Sequence, residues 1–191
     1  MSNHYVMKQL SSVALSTADE AQGKLLQAAQ KQIGFIPNMY ANMVNVPAVL
    51  DTYLHGYGFF RRQSEFSSAE QEVVFLAISQ VNGCSYCTAA HSMMAAKVSN
   101  VPAPDLDAIR TGDAIPDEKL ATLFQFAVEM TESRGRPSIV GAAAFLAAGY
   151  TEKHIMNIVL AVAVKTLSNY SNHLFDTRID ERFAAYKPGA A

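Results

Sequence analysis

Glu70–Val98, EQEVVFLAISQVNGCSYCTAAHSMMAAKV, is the stretch on which the fold turns. The residues just before it, Ser67-Ser-Ala-Glu70, have the form of a capping box, so EQEVVFLAISQV reads as an apolar helix. Asn82-Gly83 ends that helix. CSYCTAAHSMMAAKV, rich in alanine and methionine, resumes as another. Two helices therefore meet at a tight turn, and Cys84 and Cys87 fall at the start of the second.

The same signals extend outward along the chain. Thr17-Ala-Asp-Glu20 resembles a capping box, and Leu25, Leu26, Ala29 and Ile33 recur at helical spacing until Gly34. GFIPN, from Gly34 to Asn38, reads as a turn, and Pro47 opens a helix through Leu50, Leu54 and Tyr57 toward Phe60. Beyond the hairpin, Asp105–Arg110 gives one short turn, Asp117–Ser133 a helix broken by Pro137, and Ser138–Ala148 an alanine-rich helix ended by Gly149. Thr151 caps a long helix through Leu167, followed by SNYSNHLFDTRIDERF. No strand pattern stands out, and the reading is all-α with about eight helices. At an offset of 84 residues, Leu76, Ala77 and Tyr86 align with Leu160, Ala161 and Tyr170, while Ser168 and Ser171 fall where the cysteines are. Duplication of a helical unit is one reading of that match and coincidence between two buried helices the other.

Composition narrows the function. At 191 residues, half of them hydrophobic and 17% charged, the chain fits one globular domain, residues 1–191. Fifteen Lys+Arg against 17 Asp+Glu, with no basic run, exclude a nucleic-acid or membrane-surface protein. The N-terminus lacks the pattern of a secretory signal, and the apolar tract Ile155–Leu167 is too short to cross a bilayer, so a cytoplasmic location is expected. In a reducing compartment, cysteines three apart are more often catalytic or metal-binding than structural.

A thiol reacts as thiolate, and its ordinary pKa of about 8.5 must be lowered for that at neutral pH. A helix N-terminus does this through its free N–H groups and dipole. His91, four residues beyond Cys87, shares its helix face and is placed to take the Cys87 proton, directly or through a water. Across the turn at Gly83, Glu72 lies about 16 Å back and His91 about 12 Å forward at 1.5 Å per residue, so the two come out roughly level. A carboxylate there can orient the imidazole and raise its basicity. Glu70 competes for this role, but its place in the capping box already accounts for it. On the residues alone the pair remains a redox centre, half of a metal site, or two incidental thiols. The metal reading lacks the second ligand pair that a closed zinc site uses.

Glu72, eleven intervening residues, Cys84-Ser-Tyr-Cys87 and His91 resemble the signature E-x11-C-x-x-C-x3-H of the AhpD-like alkylhydroperoxidases, within the carboxymuconolactone decarboxylase family. GFIPN, Pro47, GYTEKHI and NYSNH are also similar to family segments, and the resemblance spans about residues 34–180. It implies a helical fold with duplicated core units, assembled as a homotrimer or homohexamer. It also implies a peroxidase or disulfide reductase in antioxidant defence, with no bound cofactor. By this resemblance Cys87 attacks the hydroperoxide and becomes a sulfenic acid, Cys84 donates a proton and resolves it as a disulfide, and His91 with Glu72 forms the proton relay. An external dithiol, often a lipoyl group on a partner protein, or a peroxiredoxin partner, completes the cycle. Some members carry histidine between the cysteines where this chain has Tyr86, which we expect only to shape the pocket.

Two further functions follow from the same resemblance and residues: a lactone decarboxylase, the other chemistry of the family, and a non-enzymatic redox or metal-binding assembly protein. His55, His154 and His173 read as exposed or hydrogen-bonded helix residues, and His4 as part of a tail. The methionines at 93, 94, 130 and 156 read as core or subunit-contact residues.

Overall fold

In the computed structural model, which describes residues 6–189, the chain is built around the helix Ser68–Val81. His4 and the outermost ends of the expected 1–191 span lie outside the described residues. Within that helix every residue from Gln71 to Ser79 is buried, so it has no solvent face and its apolar run needs no amphipathic period. It is α4 of nine α-helices among the described residues: α1 (Glu20–Ile33), α2 (Asn38–Met43), α3 (Pro47–Gln63), α4, α5 (Ser85–Lys97), α6 (Ala103–Thr111), α7 (Glu118–Glu132), α8 (Ile139–Ala147) and α9 (Glu152–Phe175), followed by a 3-10 helix, Glu181–Tyr186. No strand is present among the described residues.

Expected starts hold where the capping chemistry is strong. Ser67 Oγ accepts the Glu70 N–H and Glu70 returns the bond; Thr151 does the same with His154. The first helix differs. Asp19, not Thr17, is its N-cap, bonded reciprocally with Gln22, because a carboxylate accepts the orphan amide there and Thr17 Oγ1 turns back to the Ala14 carbonyl. The GFIPN turn ends earlier than expected, since Asn38 already opens α2, the element that brings the count to nine.

α4 packs against α5, α7 and α9, and α9 also crosses α2 and α3. Gly56 permits the α3–α9 approach: a Cβ there would meet Val164 Cγ2 at 2.8 Å. Two apolar clusters result. One joins α4, α7 and α8 through Phe75, Leu123, Phe126 and Phe145. The other joins α1, α2, α3 and the start of α5 through Leu26, Met43, Leu50 and Tyr53, and it contains both cysteines. Each fully buried Leu or Phe is worth about 1.5–3 kcal/mol, so both clusters hold the α4–α5 turn firmly. Met130 is a core residue, Met93 and Met94 are partly buried, and Met156, 67% exposed, belongs to neither cluster.

Candidate active site

α4 ends at Asn82, and Gly83 takes a left-handed φ of +67°, which costs glycine nothing. The chain then re-enters a helix with Cys84 as its N-cap and Cys87 in its first turn, both buried as free thiols. Glu72 and His91 meet at the shared height their distances from the turn require: His91 Nδ1 lies 2.8 Å from Glu72 Oε2. A carboxylate only accepts, so Nδ1 carries the proton and Nε2 is left as the basic nitrogen.

Arg61 and Ser99, which the sequence did not single out, complete the carboxylate's surroundings. Arg61 Nη2 lies 2.6 Å from Glu72 Oε1, and Ser99 Oγ donates to the same oxygen at 3.2 Å. Burial raises the Glu72 pKa, but the bonds from His91 and the charge of Arg61 outweigh it and hold the carboxyl below its usual range. Burial, aided by the charge of Lys165, lowers the His91 pKa against the pull of Glu72. The imidazole is therefore a neutral base at pH 7.

The two sulfurs are unlike. Burial opposes ionisation of Cys87, yet the Cys84 S–H donating to it, the Lys165 charge and His91 together push its pKa well below the thiol value. Cys84 is pushed up, first by that same bond to Cys87 and then by burial. The pair therefore ionises first at Cys87, with Cys84 the sulfur that keeps its proton. Asn172 Nδ2 from α9 donates to Cys87 Sγ at 3.3 Å and lies 3.7 Å from Cys84 Sγ, and Ser168 Oγ is 3.9 Å from Cys87.

Cys87 and His91 open on an apolar cavity of about 430 Å³ whose walls include Phe35, Met39, Tyr40, Tyr53, Tyr57 and Phe183. Tyr53 stacks on Tyr57 at 5.6 Å and meets Tyr40 edge-on at 5.9 Å. Burial pushes the Tyr57 phenol up to about 12, and Tyr40 and Tyr53 are also raised, so these three phenols are uncharged. Cys84 borders a different cavity, of about 530 Å³, with Asn172, His173 and Asp176. Tyr86 lines both. Its hydroxyl donates to Asp180 Oδ2, and Asp180 also faces the Asn38 N–H, so Tyr86 pins the thiol turn to the start of α2 and the C-terminal segment.

The other histidines stand apart. His55 is exposed beside Asp51, His154 belongs to the α9 capping box, and His173 stacks on Tyr170. Among the described residues no three His, Cys, Asp or Glu side chains converge as a metal-binding group, and no helix is long and apolar enough to cross a membrane.

The all-helical fold thus carries a Cys-x-x-Cys pair at a helix start, with a histidine and a glutamate beside it. Over residues 47–129 the chain matches the profile of the carboxymuconolactone decarboxylase family. It superposes on an AhpD-core, peroxidase-related protein of Ralstonia eutropha JMP134 with a TM-score of 0.80 at 17% identity, covering 96% of each chain. A peroxidase-related protein of Silicibacter sp. TM1040 gives 0.73 at 20% identity, over 92% of this chain and 95% of that one. The debrominase Bmp8, as a cysteine-to-alanine variant in complex with 2,3,4-tribromopyrrole, gives 0.77 at 15% identity, over 95% of this chain and 97% of that one. Among curated proteins none matches the sequence significantly.

Proposed function

We propose that this protein is a dithiol-dependent reductase of apolar organic hydroperoxides. The observation that carries the reading is the buried thiol pair beside the Glu72-held His91, with Cys87 facing an apolar cavity, where the Cys84 S–H and the charge of Lys165 favour ionisation at Cys87 over Cys84. Cys87 attacks the terminal peroxide oxygen, the O–O bond breaks, and the alkoxide leaves as alcohol with the Cys84 proton. The Cys84 thiolate then attacks the Cys87 sulfenic acid, the S–O bond breaks and water departs with one further proton. His91, held by Glu72, passes protons at this step. An external dithiol, in this reading a lipoyl-type group, reduces the disulfide from the Cys84 side. The aromatic wall selects an apolar body. Organic hydroperoxides suit it better than hydrogen peroxide, because a buried aromatic lining gains from displacing water.

The aromatic cavity favours one second reading, a halogenated aromatic ring as electron acceptor, as the debrominase neighbour binds. There Cys87 takes the halogen, the Cys84 proton ends on the ring, and the disulfide forms with release of halide. Both readings use the same thiols. Turnover of cumene hydroperoxide with a dithiol donor falls to background in Cys87→Ser, and peroxide treatment of the wild-type protein removes two hydrogens from the peptide holding both cysteines; unchanged turnover in Cys87→Ser ends the proposal. Lactone decarboxylation surviving in the double cysteine variant favours the decarboxylase instead. Stoichiometric zinc released by thiol reagents favours the assembly-protein alternative.

A further inference from the structure

Lys165 is the side chain in this site with no assigned role. It lies in the middle of α9 with 0% exposure, and its Nζ has no hydrogen-bond partner among the described residues. The Nζ sits 5.5 Å from the centre of the Phe75 ring. That ring is a hub: His91 packs on it at 4.8 Å, Tyr57 stacks on it at 5.4 Å and the Arg61 guanidinium lies 4.9 Å from it. The titratable and charged groups gathered here are Cys84, Cys87 and His91 from α5, Glu72 from α4, Arg61, Tyr53 and Tyr57 from α3, and Tyr40 from α2.

Counting charges isolates the lysine. Glu72 is already taken by Arg61 at 2.6 Å, and by His91 and Ser99. The phenols are neutral. No carboxylate pairs with Lys165 among the described residues, and the ionisable neighbour that its charge pulls toward the anionic form is Cys87. Removing an ammonium from water costs several kcal/mol unless a counter-charge stays with it. That counter-charge exists only while Cys87 is reduced. A sulfenic acid or disulfide is neutral and leaves the lysine without a counter-charge in an apolar site, the situation that penalises a buried charge most.

We propose that Lys165 is both the counter-ion of the Cys87 thiolate and the store of the second proton that peroxide reduction consumes. This rests on the dithiol cycle above and completes its balance. The reduced site holds one ammonium, one thiolate and one thiol. Reaction with ROOH gives a neutral amine, a disulfide, ROH and water, with the Cys84 proton and the Lys165 proton both used. Reduction by an external dithiol returns both protons. Neither direction takes a proton from bulk water.

The test measures the equilibrium for reduction of the disulfide in the full-length protein by a dithiothreitol redox buffer between pH 6 and 8, with thiolate absorbance at 240 nm as a second readout. If Lys165 cycles its proton, the wild-type equilibrium constant is independent of pH across that range, because two protons accompany two electrons on both sides. A wild-type constant that rises tenfold per pH unit, the result for a lysine that stays charged, overturns the proton role. Lys165→Arg, which keeps the charge and cannot release it, retains the 240 nm absorbance at pH 7 and acquires the tenfold slope. Lys165→Met loses most of that absorbance; retention of it overturns the counter-ion role. A pair that never forms a disulfide in this buffer overturns the dithiol reading itself, whereas a tenfold wild-type slope with hydroperoxide turnover intact overturns only the role of Lys165.

Discussion

Val74–Cys87 and Ile158–Ser171 begin alike and end differently. Both are apolar helical runs, with Leu76 and Ala77 matched by Leu160 and Ala161, and both are central to the packing. The first breaks at Asn82–Gly83 and restarts, which creates a helix N-terminus where Cys84 and Cys87 sit. The second runs unbroken as α9 to Phe175, with Leu167 at the place of the glycine. At the matched levels α9 carries Lys165 opposite Val81, Ser168 opposite Cys84 and Asn172 opposite Thr88. The broken run supplies the reacting sulfurs, while the continuous one supplies the charge and the amide donor that face them. Asn82 Nδ2, donating to Asn169 Oδ1 at 2.9 Å, joins the two at the break.

The largest effect is expected on the broken side. Glu72→Ala leaves Arg61 next to an empty carboxylate position and removes the partner that orients His91. Breaking a buried pair this way costs about 3 kcal/mol, readable by denaturant unfolding, together with loss of hydroperoxide turnover. A cost under about 1 kcal/mol would show that Arg61, whose side chain is 18% exposed, simply turns to solvent. The pH dependence has a definite sign. The folded state disfavours charged His91, so the protein loses stability as pH falls below about 6.5, the ordinary histidine value. The depressed carboxyl of Glu72 adds stability that is present above about 4.3 and disappears as pH falls through its lower folded value. His91→Gln removes the first of these losses and keeps the second.

The sequence made the broken side legible because its information is local. Capping at Ser67, the Asn82-Gly83 break and the 1.5 Å rise suffice to bring Glu72 level with His91, and the 2.8 Å contact is where that arithmetic placed it. The all-helical class followed from caps and periodicity along the whole chain, and the AhpD-like fold from the resemblance of this stretch and its flanking segments to that family. The continuous side was not legible. Lys165 and Asn172 act on the sulfurs across more than 75 residues of chain, and a lysine in an apolar helix looks like an interruption until the packing shows that it is fully buried. Arg61 was hidden the same way, since a basic residue in the last turn of α3 is ordinary helix chemistry. Asp19 displaced Thr17 as a cap because the two candidates lie two residues apart and only the bonds decide between them.

A substitution at the break tests whether the turn itself distinguishes the two runs. Gly83 has nothing within 4 Å of where a Cβ would be, so Gly83→Ala adds no clash and only the left-handed conformation is penalised. The expected loss is about 1–2 kcal/mol in unfolding free energy, with the 240 nm thiolate signal of the folded protein unchanged. Gly83→Asn should recover part of that loss, since asparagine tolerates the left-handed region better. A loss of the thiolate signal in a protein that remains folded would mean that the turn, rather than the surrounding charges, sets the ionisation of Cys87.

The smallest effect is expected at Ser168, which stands where the continuous run has oxygen and the broken one has sulfur. Its hydroxyl lies 3.9 Å from Cys87 Sγ but 3.2 Å from the Lys165 carbonyl and 3.3 Å from that of Val164, one turn back in its own helix. A hydroxyl donates one proton, and the nearer carbonyl acceptors hold it. The lowered Cys87 pKa therefore comes from Cys84, Lys165 and His91, and Ser168→Ala should change stability by no more than about 0.5 kcal/mol, as expected when a serine bonded to its own helix is replaced. Thiolate absorbance at 240 nm, followed as a function of pH, checks the point: a midpoint that stays in place leaves Ser168 a spectator, and one that moves toward the ordinary thiol value makes it a donor to the thiolate.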